Sequence, residues 1–242
     1  TSNNLTIRLD DCEFNGNNEI TFKTSRTYYY HMLLTNRCMD YKLDCGMSIR
    51  EIYEFNKIIT PLKYSRLSNQ IGINGLVITK DGYLLLEKRD RHKTTWKNKF
   101  AQPISLALKA SDLGLIDKET QDYTTLTKES SNKKMINVIK KTLNENFGLT
   151  SDDYDEISLS KNFLGLARDL LEGGKPNLYF YVVLNYNSDE LLEKLGNHSK
   201  NIDIKPREKK KKYEGTQIVK DDNGEQVVKD KTEKTYALKK GK

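Results

Sequence analysis

The sequence predicts an α/β protein with a central mixed sheet, an N-terminal β-rich extension and a C-terminal lysine-rich hairpin extension. Two apolar runs on either side of Asp81-Gly82 predict a hairpin of buried strands. Apolar residues at helical spacing over 132–147 predict a long amphipathic helix. Beyond residue 204 the character of the sequence changes and lysine becomes frequent. We therefore expect an extension over 1–70, a core domain over 71–204 and a basic tail over 205–242.

The N-terminal extension contains two stretches in which apolar and polar residues alternate. Residues 5–9 and 19–23 show this alternation, and the Asn-Gly-Asn-Asn sequence at 15–18 is typical of a turn. These features predict a β-hairpin. Residues 28–34 are expected to form a short helix with an aromatic face. The polar residues at 35–37 that follow fit either a polar corner or a ligand-facing loop.

The core is expected to begin with the hairpin formed by residues 72–79 and 83–89. The near-continuous apolar character of both runs is typical of strands that are covered on both faces of a sheet. Another strand is predicted within 157–167, and a further one over 178–184, where aromatic and β-branched residues dominate. A short helix is predicted over 188–195.

The long helix carries its apolar residues on one stripe. Its members follow one another at steps of three and four residues, and they are Ile136, Ile139, Leu143 and Phe147. Ser130 or Ser131 is expected to cap the start of this helix, and Gly148 stands where a C-terminal glycine is favoured.

Composition favours a globular protein in a reducing compartment. Hydrophobic residues make up 36% and charged residues 31% of the chain, which excludes a chain that is disordered throughout. Three cysteines in 242 residues are too few for a disulfide-stapled secreted fold. The sequence has neither a signal-peptide pattern nor an apolar run of the ~20 residues that cross a bilayer. We therefore expect a cytoplasmic protein without a membrane segment.

The net charge of +7 raises the question of nucleic-acid binding. Much of the excess lies in the tail, where the four residues 209–212 are all lysine. Such a run is usually a solvated segment, and this one is not interleaved with aromatic residues that stack on bases. Nucleic acid is therefore a disfavoured partner. The tail, in which 217–228 predicts a polar β-hairpin, leaves open the alternative of a protein or nucleic-acid interaction module.

A motif in the long helix carries a family resemblance. Residues 141–149 read Lys-Thr-Leu-Asn-Glu-Asn-Phe-Gly-Leu, and a strand hairpin and a loop with Trp96 and Pro103 precede them. This arrangement resembles the Nudix superfamily, whose helix reads Arg-Glu-apolar-x-Glu-Glu-x-Gly-apolar. Residues 34–36 and 164–169 are similar to the branch of UDP-glucose pyrophosphatases. The resemblance implies an α/β/α sandwich that acts on nucleoside diphosphate-linked molecules with Mg²⁺.

The chain departs from the Nudix pattern at the positions that carry negative charge. Glu145 keeps one carboxylate, whereas Thr142 and Asn146 stand where the family has glutamates. Positions 142, 145 and 146 project from one side of a helix, so this face would offer Mg²⁺ a single charged oxygen ligand. Weak Mg²⁺ binding is the most that this face predicts.

The rest of the helix is basic. Its lysines repel a divalent cation but attract a diphosphate, and they are Lys133, Lys134, Lys140 and Lys141. Lys133 stands near the position of an upstream glutamate of the family pattern. Residues 103–105 read Pro-Ile-Ser where the family has Pro-Gly-Gly.

The resemblance implies a small set of site residues. Glu145 would be the metal ligand, and the catalytic residue if the protein is active, while the ligand-binding residues would be Lys141, Thr142, Asn146 and Arg168. The favoured hypothesis is a Nudix-like domain that binds a nucleoside diphosphate-linked molecule, such as a nucleotide sugar, with weak or absent hydrolase activity. The alternative is an active Mg²⁺-dependent pyrophosphatase that uses Glu145 together with acids outside the motif, for example Glu129, Glu172 or Asp169.

Two features near residue 170 have open roles. Arg168 fits either an ion pair with Asp169 or a contact to a ligand phosphate. The Gly-Gly-Lys-Pro sequence at 173–176 could offer backbone N–H groups to a phosphate, but it lacks the spacing of a phosphate-binding loop and favours a plain turn.

Overall fold

A mixed sheet lies at the centre of the computed structural model, which describes residues 3–15, 19–54, 59–89, 99–115 and 128–198. It also describes the backbone of residues 219–220, 226–227 and 239–240. The strands within these ranges are β1 (Leu5–Asn15), β2 (Glu19–Tyr28), β3 (Gly72–Ile78), β4 (Tyr83–Leu85), β5 (Glu87–Lys88), β6 (Phe100–Ala101), β7 (Ile104–Ala107), β8 (Phe163–Asp169), β9 (Lys175–Val183), β10 (Val219–Lys220), β11 (Gln226–Val227) and β12 (Lys239–Lys240).

Helices of several lengths connect these strands and confirm the mixed α/β class. The α-helices are α1 (Tyr29–Met32), α2 (Ile49–Tyr53), α3 (Lys128–Phe147), α4 (Leu159–Asn162) and α5 (Ser188–His198). A π-helical turn occupies Leu33–Arg37, and 3-10 turns occupy Leu62–Tyr64, Ser151–Asp153 and Leu170–Glu172. None of the helices in the described ranges is long and apolar enough to cross a membrane.

Strand β3 organises the central sheet. It runs antiparallel to β4 and β7 along one edge and parallel to β9 along the other, and β8 pairs antiparallel with β9. Because β3 has partners on both sides, its residues are mostly buried, as the apolar run at 72–79 predicts. The pairing of β3 with β4 confirms the predicted hairpin around Asp81-Gly82. Its second strand, predicted over 83–89, is divided into β4 and β5, and β5 pairs with β6 instead of β3.

The N-terminal hairpin of β1 and β2 packs against this sheet. The two strands pair antiparallel, as predicted. Three backbone hydrogen bonds connect the hairpin, the segment before β3 and the end of β7. The N–H of Ile71 donates to the carbonyl of Ile7 at 2.9 Å, and the N–H of Ile7 donates to the carbonyl of Leu108 at 3.0 Å. The N–H of Leu108 donates in turn to the carbonyl of Ile71 at 3.0 Å. Ile7 and Leu9 are buried in the same core as the sheet residues. Strand β1 thus shares one hydrophobic core with β3.

Helix α3 covers the core with its predicted apolar stripe. Ile139, Leu143 and Phe147 are buried, and Ile136 is half-buried against them. The helix ends as predicted, because Gly148 has a positive φ of 65° and its N–H donates to the carbonyl of Asn144. The predicted cap at Ser130 or Ser131 is wrong, since the helix begins at Lys128 and both serines lie within it. Its first turn contains no apolar residue, so periodicity alone cannot find the start.

Two short helices differ from the sequence prediction. The strand predicted within 157–167 is correct only from Phe163, because α4 precedes it. Ser158 begins α4 as its N-cap, and its hydroxyl accepts a hydrogen bond from the N–H of Lys161. Helix α2 was not assigned from sequence, although Ser48 and Glu51 form a reciprocal capping box whose Ser-x-x-Glu spacing is visible in the chain.

Little of the tail lies within the described residues. Strand β10 pairs antiparallel with β11, and β12 pairs antiparallel with β4 at the edge of the central sheet. The lysine run at 209–212 lies outside the described residues, so its predicted role as a solvated segment stays a prediction.

A buried carboxylate fastens α5 to the core and leads to a prediction about acid stability. Asp153 is buried and accepts hydrogen bonds from Lys194 Nζ, from the hydroxyl of Tyr186 and from the N–H of Thr150. Burial alone would raise the pKa of Asp153, but these hydrogen bonds lower it to about 2. The carboxylate therefore stays ionised in the folded protein at pH values where the unfolded chain is already protonated.

We expect Asp153→Asn to lower the free energy of unfolding by about 2 kcal/mol at neutral pH, because it removes a charged hydrogen-bond acceptor. The folded-state pKa is below the ordinary value of 3.8. The contribution is therefore complete above pH 3.8 and lost as pH falls through about 2. Urea unfolding of the wild type and the variant at pH 7 and pH 2.5 would measure this. If the free energies of unfolding of the two proteins differ as much at pH 2.5 as at pH 7, the lowered pKa of Asp153 is contradicted.

Candidate functional site

The residues that the Nudix resemblance selects on α3 lie on the outside of the helix. Glu145 and Lys141 are 61% and 65% exposed and face each other at 3.7 Å between Nζ and Oε1. Thr142 turns its hydroxyl back to the carbonyl of Val138 at 2.8 Å, and Asn146 is exposed. Lys141, Glu145 and Thr142 thus find their partners within the helix.

A cleft of about 380 Å³ lies elsewhere, between the N-terminal segment and the central sheet. Its walls come from α1 and the π-helical turn, from β7 and from the β8–β9 connection. None of Lys141, Thr142, Glu145, Asn146 or Arg168 lines it. The described structure therefore separates the sequence-predicted residues from this cavity.

Charged side chains occupy one part of the cleft. Among the described residues that line it, the cations are Arg37, Arg89, Lys99 and Lys175, and the carboxylates are Asp169 and Glu172. Both Asp169 and Glu172 were predicted as acids outside the motif. Glu129, the third such acid, has a side chain that lies outside the described part of the structure.

Glu172 is held between two cations. Arg37 Nη2 donates to its Oε1 at 2.5 Å and Lys175 Nζ donates to its Oε2 at 3.1 Å. Burial alone would raise the pKa of Glu172, but the charges and hydrogen bonds of Lys175 and Arg37 outweigh burial and lower it. The carboxylate is therefore ionised, and both of its oxygens are engaged in orienting cations.

The loop after β8 brings these groups together. Gly173 and Gly174 have positive φ values of 57° and 74°, which favour glycine. The side-chain amide of Asn36 donates to the carbonyl of Gly173 at 3.1 Å, and Asn36 precedes Arg37 in the π-helical turn. Asn36 is therefore a buried polar corner, one of the two roles predicted for residues 35–37, and Arg37 lines the cleft. That these residues face a ligand stays a prediction.

Arg168 holds the backbone of this loop through hydrogen bonds. Its Nε donates to the carbonyl of Gly174 and its Nη1 to the carbonyl of Thr60, both at 2.6 Å. Burial lowers the pKa of Arg168, while the charge of Glu54 acts in the opposite direction. Asp169 instead caps the next turn, since its Oδ1 accepts from the N–H of Leu171 at 3.0 Å. Arg168 therefore positions the backbone, and the turn at 173–176 packs against the protein.

Amide and aromatic side chains complete the cleft. The amide of Gln102 donates to Asn74 Oδ1 at 2.7 Å. Gln70 is fully buried, and neither its Nε2 nor its Oε1 has a hydrogen-bond partner in the protein. The aromatic residues in the lining are Tyr29, Phe100 and Tyr179. The sequence gives no signal for Gln70, because it lies in a polar segment before β3.

The sequence matches no protein-family model, and no curated protein matches it.

The arrangement suits binding of a polar, anionic molecule with a planar part. Cations bind phosphate oxygens, aromatic faces stack on planar rings and amides form directional hydrogen bonds. A volume of about 380 Å³ falls within the range of small-molecule sites.

Among the described residues, no group of three or more His, Cys, Asp or Glu side chains is arranged to hold a metal ion. The three cysteines are free thiols.

Proposed function

We propose that this chain is a Nudix-like domain that binds a nucleoside diphosphate-linked molecule in the cleft, with weak or absent hydrolase activity. The observation that carries the proposal is the composition of the cleft, where cationic, amide and aromatic side chains surround one cavity. A nucleoside diphosphate presents the complementary groups, namely a charged diphosphate, a polar sugar and a flat base.

The charges of the cleft favour a diphosphate. Glu172 neutralises part of the charge of Arg37 and Lys175 but also fixes the position of both cations. Arg89 and Lys99 add positive charge to the same cavity. The positive potential of these side chains attracts an approaching phosphate group, and their N–H groups then form charge-assisted hydrogen bonds with it. We extend the proposal to the fold, in which α3 and the central sheet form part of a Nudix-like α/β/α sandwich.

Weak hydrolysis follows from the carboxylates that remain. Glu145 is paired with Lys141 on the surface of α3, and Thr142 is bonded to its own helix. Glu172 is ionised and engaged by two cations, which repel a divalent ion. The described residues therefore do not fit a resident Mg²⁺ ion, and any Mg²⁺ would arrive with the diphosphate of the ligand.

One observation supports hydrolysis as a second candidate function. Asp169 and Glu172, two of the acids that an active enzyme could recruit, line the proposed binding cleft. The two functions are separable by assay. We expect little release of nucleoside monophosphate from nucleotide sugars and dinucleotides when Mg²⁺ is added. Robust turnover that Glu145→Gln, Asp169→Asn or Glu172→Gln abolishes would show that the protein is an enzyme.

Binding is tested by thermal unfolding with a ligand panel. UDP-glucose, ADP-ribose, the four nucleoside diphosphates and inorganic pyrophosphate would each be added, with and without Mg²⁺. Because a ligand that binds the folded state stabilises it, at least one nucleoside diphosphate compound is expected to raise the unfolding temperature. Calorimetry would then give its Kd. Unfolding temperatures that do not respond to any compound would reject the proposal.

Substitution of two exposed lysines tests where the ligand binds. Lys99 lines the cleft, whereas Lys141 lies on the face of α3 that the sequence selects. We expect Lys99→Ala to weaken binding of the diphosphate about fivefold, which corresponds to roughly 1 kcal/mol. Lys141→Ala is expected to have the smaller effect. Since both side chains are exposed, neither change should alter folding, and the reverse order of effects would place the site on α3.

A further inference from the structure

Gln70, a residue of the cleft wall, has a fully buried side-chain amide without a partner in the protein. Gln70 has no exposed surface, and its Nε2 and Oε1 form no hydrogen bond within the protein. Gln70 is also a lining residue of the cavity. Burial of an unpaired amide opposes folding, so such a group in a folded protein calls for a partner outside the chain.

The neighbours of Gln70 show that this unpaired state is local. The side chain of Asn69 donates to Ser65 Oγ at 2.8 Å, and its N–H donates to Asn36 Oδ1 at 2.8 Å. On the other side, the N–H of Ile71 donates to the carbonyl of Ile7. A β-bridge between Arg8 and Gln70 holds the backbone of Gln70 itself. The segment is thus firmly held, while the side-chain amide of Gln70 is left unpaired.

Arg37, which also lines the cavity, has a second unpaired donor. Its Nη2 is bonded to Glu172, but its Nε is buried and has no hydrogen-bond partner in the protein. Two residues of the cleft wall therefore carry unpaired buried groups, one amide and one guanidinium N–H. A ligand that satisfies both needs an acceptor for Arg37 and a donor beside an acceptor for Gln70.

We propose that Gln70 is the specificity-determining residue of the cleft and that its amide recognises the edge of a nucleobase. This inference rests on the proposed function. A primary amide held in one orientation forms two hydrogen bonds at once only with a partner that places a donor next to an acceptor. Nucleobase edges have this pattern. Tyr29 and Tyr179 line the same cavity and supply aromatic surface for the face of a base.

The substitution that tests this role is Gln70→Met, which keeps the length of the side chain and removes both hydrogen-bonding groups. We expect at least a tenfold loss of affinity for the preferred nucleoside diphosphate and no loss for inorganic pyrophosphate, which has no base. We also expect the unliganded variant to unfold at the same temperature as the wild type or higher, because an unpaired buried amide is removed. Calorimetry and thermal unfolding measure the two effects.

Gln102→Met is the matched control for stability. It makes the same chemical change in the same cleft, but the amide of Gln102 is bonded to Asn74. This variant is therefore expected to unfold at a lower temperature than the wild type. Gln70→Glu keeps the shape of Gln70 but replaces its donor with an acceptor, and it too is expected to lose affinity for the nucleoside diphosphate.

Two results would overturn the inference in distinguishable ways. If the wild type binds a nucleoside diphosphate and Gln70→Met binds it equally well while unfolding more readily, Gln70 has a structural role only. In that case the proposed function stands and the role of Gln70 is rejected. If the wild type binds none of the nucleoside diphosphates, the proposed function fails and the inference fails with it.

Discussion

Arg168→Met is expected to lower the free energy of unfolding by about 3–5 kcal/mol, the largest effect of any substitution considered for this protein. The guanidinium bonds the carbonyls of Gly174 and Thr60 and offsets the charge of Glu54, which is only 2% exposed. Without Arg168, the buried carboxylate of Glu54 would lose one opposing charge and retain that of Arg50. Urea unfolding of the variant, with exposed Arg66→Ala as the control, measures the loss.

A double substitution separates the electrostatic contribution of Arg168 to stability from its packing contribution. When Glu54→Gln is combined with Arg168→Met, the buried negative charge of Glu54 disappears, so we expect part of the lost stability to return. The Oε2 of Glu54 also accepts from the N–H of Thr60 at 2.5 Å, and the amide oxygen of glutamine can take over that bond. Effects of the two single changes that simply add would show that Glu54 and Arg168 do not interact.

Gly173→Ala is expected to lower the free energy of unfolding by about 3 kcal/mol. The positive φ of 57° strains any residue with a side chain by ~1–2 kcal/mol. A Cβ at this position would also lie within 3.0 Å of the Cα, C and O atoms of Asn36, and main-chain atoms cannot rotate away. The overlap adds a packing penalty of ~1–3 kcal/mol.

Gly46→Ala is the matched control for Gly173→Ala. Gly46 has a φ of 80°, but a Cβ there would meet no atom within 4 Å. This variant should therefore show only the backbone strain, and the difference between the two variants isolates the contact with Asn36. Because that contact places Arg37 beside Glu172, Gly173→Ala is also expected to weaken ligand binding. Equal losses of stability in the two variants would mean that the close approach to Asn36 is unimportant.

Local patterns in the sequence were enough to predict most of the regular structure. The alternation in 5–9 and 19–23, the Asp81-Gly82 turn and the apolar stripe that ends at Phe147 each correspond to an observed element. These signals are local because the side-chain period and the turn residues are set by the backbone within a few positions. The predictions that failed also concern local details. The first turn of α3 is polar, so its start was not predicted from the apolar residues. Helix α4, which Ser158 caps, occupies the first part of the range 157–167 in which a strand was predicted.

The charge of α3 and its departure from the Nudix pattern could be read from sequence alone, because they depend only on which residues are present. The cleft could not. Arg37 and Glu172 form an ion pair across 135 positions of the chain, and Gln70 reaches the same cavity from a third segment. Periodicity reports whether a side chain is buried but not which distant group it meets. The helices, strands and charges were therefore determined by the sequence locally, whereas the binding site depends on hydrogen bonds and packing between segments that only the folded chain brings together.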